Sequence, residues 1–186
     1  MISKGLKYPF QDEEWIKKWF IGSFLVIGTI LIVPGFTLVG YLLRVMREDS
    51  MPEFDDIVDM TSDGIQATLV VLGYIALPIT FITLFEDTVM LLGASLLFLY
   101  TYFFYSIFYE LANNGMRAAF SLQVFRNAFT LDYFIGFIAV FIISNIMTIL
   151  SFFLLILILT ALLLPPFYFY QYTFSFRIMA EAIESE

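Results

Sequence analysis

Long runs of hydrophobic residues dominate this chain, and the polar residues between them leave about five hydrophobic segments. A membrane-spanning helix needs about 20 consecutive, mostly apolar residues. Four stretches reach that length, and the last of them is long enough for two helices. These stretches are 19–43, 64–85, 88–111 and 133–176. The pattern predicts an all-α integral membrane helix bundle that forms a single transmembrane domain over residues 1–186.

The last stretch, from Tyr133 to Phe176, contains no charged side chain. One helix of that length would measure about 65 Å, against a hydrocarbon core of about 30 Å. The chain must therefore turn back within the stretch, and its most polar part, 144–151, is the expected place. Pro165-Pro166 then predicts a kink in the final helix, because proline lacks the backbone donor and clashes with the preceding turn.

The first segment, 19–43, is interrupted near its middle by Pro34-Gly35, where a kink or a helix break is expected. If the segment crosses the membrane fully, the N-terminal lysines lie opposite the arginines. If it enters, breaks and returns, all nine basic residues lie on one side. Broken backbone at membrane depth is tolerated only inside protein or beside a cavity. We expect the full crossing, which is the commoner structure, and keep re-entry as the alternative.

Three connecting segments are too polar to span a bilayer, yet they carry apolar residues at helical spacing. They are 13–20, 53–65 and 120–129. An apolar stripe opposite a polar face is typical of a helix that lies in the membrane interface. We therefore expect three amphipathic interfacial helices. The repeated order of helix, connector and new span also suggests a weak internal repeat that relates 36–85 to 104–150.

The arginines indicate the orientation of the chain, because each group of them follows a hydrophobic segment. They are Arg44, Arg47, Arg117, Arg126 and Arg177. Basic residues concentrate in the cytoplasmic loops of membrane proteins. We therefore expect a multi-pass protein of the cell membrane whose arginine-bearing loops and C-terminus are cytoplasmic.

Composition narrows the function further. The chain is 61% hydrophobic and only 14% charged, which excludes a soluble globular or a disordered protein. Its net charge of −8 has the opposite sign from that of a nucleic-acid binder. There is no Cys and no His, which excludes thiol nucleophiles, imidazole bases and zinc–thiolate sites. We expect no catalytic activity and no cofactor.

One candidate metal site lies in the acidic connector. Asp55, Asp59 and Asp63 recur at every fourth residue, so their like charges would share one helical face and repel. A hard cation such as Ca²⁺ or Mg²⁺ could relieve that repulsion. A solvated polar face explains the same spacing, and we expect no bound metal.

A second candidate is a stripe of tyrosines on the third hydrophobic helix. Tyr102, Tyr105 and Tyr109 share a face, where their hydroxyls could bind a lipid or another ligand. Packing between helices, or an aromatic belt at the interface, is the alternative. Just beyond the stripe, Glu110 and Arg117 are close enough in sequence for a local ion pair.

No ionisable side chain lies deep within an apolar segment, which argues against an ion-coupled transporter. The expected function is a subunit or scaffold that packs against other membrane proteins or against itself, in contact with membrane lipids. The alternative is a channel or facilitator for a lipid or a small uncharged solute, built around the break at Pro34. The residues expected to line its tunnel are Ser23, Thr29, Thr37 and Tyr41.

Short motifs in a fixed order along nearly the whole chain resemble one known family. They are Lys7-Tyr8-Pro9-Phe10, Trp15-Ile16-Lys17-Lys18, Ile21-Gly22, Pro34-Gly35-Phe36, Gly40-Tyr41, Pro52-Glu53-Phe54-Asp55-Asp56, Asp63-Gly64, Pro78, Gly115, Ala119-Phe120, Asp132-Tyr133 and Pro165. The chain resembles the multi-pass membrane proteins of domain-of-unknown-function family 4013, found mostly in archaea. The resemblance implies a bundle of hydrophobic helices in an archaeal cell membrane, and it transfers no catalytic or ligand residue.

Overall fold

The computed structural model of the protein describes residues 2–29, 31–84, 87–156 and 163–184, and these ranges contain helices and connections but no strand. Their α-helices are α1 (Ile2–Lys7), α2 (Trp15–Gly28), α3 (Ile32–Arg47), α4 (Ile57–Leu84), α5 (Asp87–Asn114), α6 (Leu122–Ala128), α7 (Leu131–Ile156) and α8 (Leu164–Glu184). Short 3₁₀ turns follow α1 and precede α6, at Tyr8–Phe10 and Ala118–Phe120.

Three of the described helices are long and apolar enough to cross a membrane. They are α4, α5 from Leu91 onward, and α7 as far as Phe153. By contrast α2 and α3 have 14 and 16 residues, or about 21 and 24 Å against a core of about 30 Å. The all-helical fold is thus confirmed, whereas the expectation of about five membrane segments is not.

The first hydrophobic segment folds as a helical hairpin rather than as one spanning helix. α2 ends at Gly28 and α3 begins at Ile32. Near the start of α2, the Nζ of Lys18 donates to the carbonyl of Met51, just after α3, at 2.7 Å. The two helices are therefore antiparallel. The expectation of one helix crossing over residues 19–43 is therefore wrong, and the chain turns back within this segment.

Both proline motifs begin helices instead of bending them. Pro34 is in the first turn of α3, and Pro165-Pro166 are in the first turn of α8. The first N–H groups of a helix have no partner within it, so proline removes no helical hydrogen bond there. The kink expected at Pro165-Pro166 is therefore wrong. The break expected at Pro34-Gly35 occurs a few residues earlier, after Gly28.

The turn expected at 144–151 is also wrong, because α7 continues through that region to Ile156. Its polar side chains bond to the helix itself. The Nδ2 of Asn145 donates to the carbonyl of Phe141 at 2.7 Å, one turn earlier. A polar group satisfied in this way needs no turn that would expose it to water. The connection to α8, at 157–162, lies outside the described residues.

Of the three connectors expected to form separate interfacial helices, one does so in the structure. This is α6 within 120–129, where the Oγ of Ser121 accepts from the backbone N of Gln123 at 3.3 Å and caps the helix. Segment 53–65 instead supplies the first turns of α4, and segment 13–20 supplies those of α2. These two expectations of separate helices are wrong, because the amphipathic pattern continues into an apolar helix without a break.

Most of the charged contacts between helices lie at one end of the bundle, which we name the polar end. α2 and α4 begin there, and α3, α5 and α8 end there. The Nε of Arg47 on α3 donates to the carbonyl of Ala112 on α5, and its NH1 lies 3.5 Å from the Oδ2 of Asp63 on α4. The first and last helices meet there too, since the Nζ of Lys4 is 3.6 Å from the Oε1 of Glu181.

The α3–α4 pair approaches so closely that two glycines are required at the contact. A Cβ atom on Gly40 would overlap the carbonyl of Met60, and one on Gly64 would overlap the carbonyl of Phe36. Small residues allow the same close approach of backbones in other membrane helix pairs. This contact holds the first long span against the returning arm of the hairpin.

We expect Gly64→Ala to destabilise the protein by on the order of 1–3 kcal/mol, because a backbone carbonyl cannot move aside as a side chain can. Gly35→Ala is the matched control, since the nearest atom to its added Cβ is 3.7 Å away. That substitution should be neutral or stabilise α3 by roughly 0.5–1 kcal/mol. Denaturant unfolding in detergent measures both, and equal effects would contradict the close α3–α4 contact.

Candidate functional site

A buried guanidinium lies at the centre of the polar end. Arg177 of α8 is only 1% exposed. Its Nε donates to the Oε1 of Glu181 at 3.1 Å, one turn further along α8. Its NH1 donates to the carbonyl of Glu48 at 3.0 Å, and its NH2 donates to the Oδ1 of Asp49 at 2.6 Å. One side chain thereby joins α8 to the connection between α3 and α4.

An aromatic ring lies against the same guanidinium. The ring centroid of Tyr8 is 5.3 Å from the Cζ of Arg177, within the range of a cation–π contact. The hydroxyl of Tyr8 donates to the carbonyl of Ser50 at 2.6 Å and lies 3.1 Å from that of Glu48. Tyr8 and Arg177 therefore attach the N-terminal 3₁₀ turn and α8 to the same short connection.

The surroundings favour the charged form of Arg177 and the neutral form of Tyr8. Burial alone lowers the pKa of Arg177, but the hydrogen bond and charge of Glu181 outweigh burial and raise that pKa. Burial also raises the pKa of the Tyr8 hydroxyl far above its ordinary value, so the hydroxyl stays protonated and remains a donor.

Lys18 forms a second buried charge cluster beside the first, and its side chain is 2% exposed. Its Nζ lies 2.8 Å from the Oδ2 of Asp12, 2.6 Å from the Oε1 of Glu53 and 2.7 Å from the carbonyl of Met51. An ammonium has three donors, and each has an acceptor here. Burial lowers the pKa of Lys18, but the bonds to Asp12 and Glu53 outweigh it and raise the pKa.

Together the two clusters attach the connection 48–53 to the N-terminal 3₁₀ turn, to α2 and to α8. Their charged groups satisfy one another, so their chemistry is attachment between helices. Sequence reasoning missed both clusters and used Arg177 only as a marker of orientation. Two signals were present: Glu181 follows Arg177 at i+4, and Lys18 directly precedes the first charge-free run.

The three candidate cation-binding aspartates pair with arginines or lie beside them. Asp55 precedes α4 and lies 3.7 Å from the NH1 of Arg44, while Asp63 lies 3.5 Å from the NH1 of Arg47. Asp59 and Asp63 line a surface cleft of about 410 Å³ that both arginines also line. The arginines thus supply the opposite charge that a cation would supply. Among the described residues, no group of three or more His, Cys, Asp or Glu is placed to hold a metal ion.

The tyrosine stripe lies between helices of the chain. The hydroxyl of Tyr102 donates to the carbonyl of Ala128 on α6 at 2.7 Å. The ring of Tyr105 lies 5.4 Å from that of Phe176 on α8, and Tyr109 packs half-buried against the main core. These contacts are the ones expected if the tyrosines pack between helices, which was the alternative to ligand binding. Ligand binding by the three tyrosines stays a prediction.

The ion pair expected between Glu110 and Arg117 does not form among the described residues, so this prediction is wrong. Glu110 is 3% exposed and accepts hydrogen bonds from the Nδ2 atoms of Asn114 and Asn127, at 2.8 and 2.7 Å. Asn114 is one turn further along α5, and Asn127 belongs to α6. Two amides therefore stabilise the buried carboxylate, and the carboxylate in turn holds α6 against α5.

The break between α2 and α3 borders a cavity of about 750 Å³. Its lining is mostly apolar, and the hydroxyl-bearing side chains in it include Thr29, Thr68, Tyr105 and Tyr172. Gly35, in the first turn of α3, also lines the cavity. Five helices contribute to these walls, so the cavity is a central feature of the bundle.

The four residues expected to line one tunnel are instead distributed among different environments. Thr29 borders the central cavity, whereas Ser23 lines a separate groove. The hydroxyl of Thr37 lies 2.7 Å from that of Thr61 on α4, and Tyr41 is fully buried. The expectation that these four side chains share one tunnel is therefore wrong.

The structure contains helices that are able to cross a membrane, and paired buried charges join helices at one end. These features are those of an α-helical membrane protein. The chain belongs to the family described as Protein of unknown function (DUF4013), which matches residues 22–164. The predicted family is thereby confirmed over residues 22–164. No curated protein and no solved structure matches the chain.

We expect Arg177→Met to destabilise the protein by roughly 3–5 kcal/mol, because it leaves the buried Glu181 carboxylate with only the largely exposed Lys4 ammonium, 3.6 Å away, as a charged partner. Lys17→Met is the matched control: it removes an exposed ion pair with Glu14, whose atoms are 2.7 Å apart, and such pairs contribute little. Thermal unfolding in detergent measures both variants. Similar melting temperatures for the two would show that the Arg177 cluster does not stabilise the fold.

Proposed function

We propose that this chain is a non-enzymatic integral membrane protein of the cell membrane that acts as a subunit or scaffold. Its long helices pack against other membrane proteins or against a second copy of the chain. The absence of Cys and His from the sequence supports a role without catalysis. The internally paired charges of the polar end support the same conclusion, because they stabilise helix contacts.

The observation that carries this proposal is how little of the three candidate spans is buried within the chain. In the most apolar 18-residue stretch of α4, α5 and α7, only 17%, 22% and 22% of the residues are buried within the chain. α7 buries one stripe, formed by Tyr133, Val140 and Met147, while Phe141 and Phe152 are 59% and 63% exposed. Such surfaces are available to lipid and to the helices of another protein.

The outward face of α4 supports contact with a protein in particular. Gly73, Ala76 and Thr80 are exposed and recur at i, i+3 and i+7, a pattern that lets a second helix approach closely. Other small residues serve the chain itself: a Cβ on Gly22 or Gly93 would overlap or crowd another of its helices. On α4, a Cβ on Gly73 would meet the ring of Phe120 at 3.1 Å, whereas Ala76 and Thr80 lie exposed to an external partner.

We expect mild-detergent extraction and native mass spectrometry to find more than one chain, or one chain with a partner protein, at a fixed ratio. Ala76→Phe should disrupt that assembly, because the added ring prevents close helix approach, and should leave the melting temperature of the chain unchanged. Ala94→Phe, the same change at an exposed alanine of α5, is the control. A parent that is monomeric and carries only lipid would refute the scaffold role.

The proposed orientation places the polar end in the cytoplasm. The hairpin supports this, because Lys4 and Lys18 contact groups at the end where Arg47 and Arg177 also lie. Because the lysines and the arginines lie at the same end, the positive-inside rule favours the orientation in which the polar end is cytoplasmic.

We expect single cysteines at Lys7, Asp55 and Arg117 to react with a membrane-impermeant thiol reagent from the cytoplasmic side, and one at Leu84 from the opposite side. The parent has no Cys, so each label is unambiguous. Leu84 ends α4 at the other end of the bundle. Opposite accessibility of positions 7 and 55 would contradict the re-entrant hairpin.

A second candidate function is a facilitator for a lipid or a small uncharged solute. The cavity of about 750 Å³ beside the helix break favours it, because broken helices at membrane depth often form solute sites. Glycerol uptake by liposomes that contain the protein, above that of empty liposomes, would support this candidate. Loss of uptake in Gly35→Leu, which fills the cavity, would locate the path.

A further inference from the structure

The polar cleft of about 410 Å³ lies between the end of α3 and the beginning of α4. Two sets of side chains line it, and each set has the spacing i, i+3, i+4 that places residues on one face of a helix. α3 contributes Arg44, Arg47 and Glu48, and α4 contributes Asp59, Ser62 and Asp63. A mainly basic wall on α3 and a mainly acidic wall on α4 therefore border the same cleft.

The two walls are held in place by the close contact between α3 and α4. Gly40 and Gly64 form that contact, and a Cβ on either would overlap the backbone of the other helix. Gly40 lies one turn before Arg44, and Gly64 directly follows Asp63. Arg47 is fixed in addition, since its Nε donates to a carbonyl of α5. The cleft is thus built on the framework of the bundle.

The charges of the cleft are less completely paired than those of the two buried clusters. The two buried cations meet their acceptors at 2.6 to 3.1 Å. In the cleft, the NH1 of Arg47 is 3.5 Å from the Oδ2 of Asp63, and the NH1 of Arg44 is 3.7 Å from the Oδ1 of Asp55. Charge-assisted hydrogen bonds are shorter than this, at about 2.7–2.9 Å. The cleft therefore keeps capacity to bind a further charged group.

Three side chains of the cleft have unused polar atoms. Among the residues that the structure describes, the guanidinium of Arg44, the hydroxyl of Ser62 and the carboxylate of Glu48 form no hydrogen bond. The side chain of Arg44 is only 18% exposed, so it has lost much of its water without gaining a hydrogen bond from the protein. A buried charge without such bonds is costly. The free donors of Arg44 therefore favour an occupant that supplies acceptors.

The mixture of charges selects the kind of occupant. A simple anion would bind the two guanidiniums, but the carboxylates of Asp59 and Asp63 would repel it. A simple cation would bind those carboxylates, but Arg44 and Arg47 would repel it. A molecule that carries both charges satisfies both walls. A primary ammonium suits the acidic wall because it has three donors to offer to carboxylates.

The position of the cleft favours phosphate as the anionic group. The acidic wall lies in the first two turns of α4, which is one of the helices able to cross a membrane. In a membrane, the end of such a helix lies at the headgroup level. The phosphate groups of lipids lie at that level, and their several oxygens match the planar donor fork of a guanidinium.

We propose that the α3–α4 cleft binds a phosphate–ammonium zwitterion, the group shared by ethanolamine phospholipids and free phosphoethanolamine compounds. Arg44 and Arg47 bind the phosphate, and Asp59 and Asp63 bind the ammonium. A lipid source depends on the proposed position of the chain in a membrane, whereas the chemistry of the site depends only on the cleft.

Two binding measurements on the full chain in detergent test the site and its source. The first is calorimetry with soluble glycerophosphoethanolamine, glycerophosphocholine and glycerophosphoglycerol. The second is native mass spectrometry with the same three headgroups on dioleoyl lipids. We expect the ethanolamine form to bind once per chain and the other two on the order of tenfold more weakly. Choline has no N–H to donate, and the glycerol headgroup leaves an unpaired anion beside the acidic wall. This order in lipids alone identifies a lipid headgroup, and the order in both measurements shows that the free compound binds too.

Substitutions of the two walls test the assignment of each charge. Arg44→Gln should weaken binding of the ethanolamine form on the order of tenfold. Asp59→Asn should reduce the preference for ethanolamine over glycerol headgroups, because it removes an acceptor for the ammonium and a repulsion of the anion. Arg126→Gln and Glu13→Gln are the matched controls, since both residues are exposed and lie outside the cleft. They should leave the affinities and the preference unchanged.

Equal binding of the three headgroups in both measurements would overturn the proposal, and so would the absence of ethanolamine binding from both. Equal effects of the cleft variants and their controls would overturn it too. Asp59 is exposed, so Asp59→Asn keeps the test decisive even if Arg44→Gln lowers the melting temperature. Binding to a single chain requires no partner protein. The zwitterion site and the scaffold role can therefore fail independently.

Discussion

The removal of one guanidinium from water is the constraint on which the rest of the fold depends. A buried charge is costly unless its partners are in place, and those of Arg177 come from distant parts of the chain. Glu181 is on the same helix, whereas Asp49 and the carbonyl of Glu48 belong to the connection between α3 and α4. This connection must therefore return to the end where α8 finishes, and the hairpin geometry follows from that requirement.

The second buried cation extends the same logic to the N-terminus. Lys18 holds the start of α2 to Met51 and Glu53. The first arm of the hairpin, α2, therefore begins at the polar end, and the second arm, α3, ends there. A hairpin with arms of about 21 and 24 Å is shorter than a bilayer core. Its apolar tip, where Leu31 and Ile32 are 65% and 75% exposed, suits hydrocarbon and would be unfavourable in water.

This architecture leaves surfaces that the chain does not cover by itself. α8 packs against the hairpin and α7, while α4, α5 and α7 keep most of their apolar surface outward. The proposed scaffold role uses part of that surface, where Ala76 and Thr80 of α4 are exposed.

Run length and helical spacing are local properties, so the residues alone were enough to predict the helical class, a membrane protein, the family and the long apolar helices α4 and α5. The hairpin could not be predicted in this way, since Lys18 and Arg177 find partners far away in sequence. Only the tertiary structure decided that 144–151 stays helical, because Asn145 bonds to its own helix, and that Glu110 pairs with amides rather than with Arg117. Local patterns reveal which residues prefer hydrocarbon, whereas the partner of a buried charge depends on which helix ends meet in space.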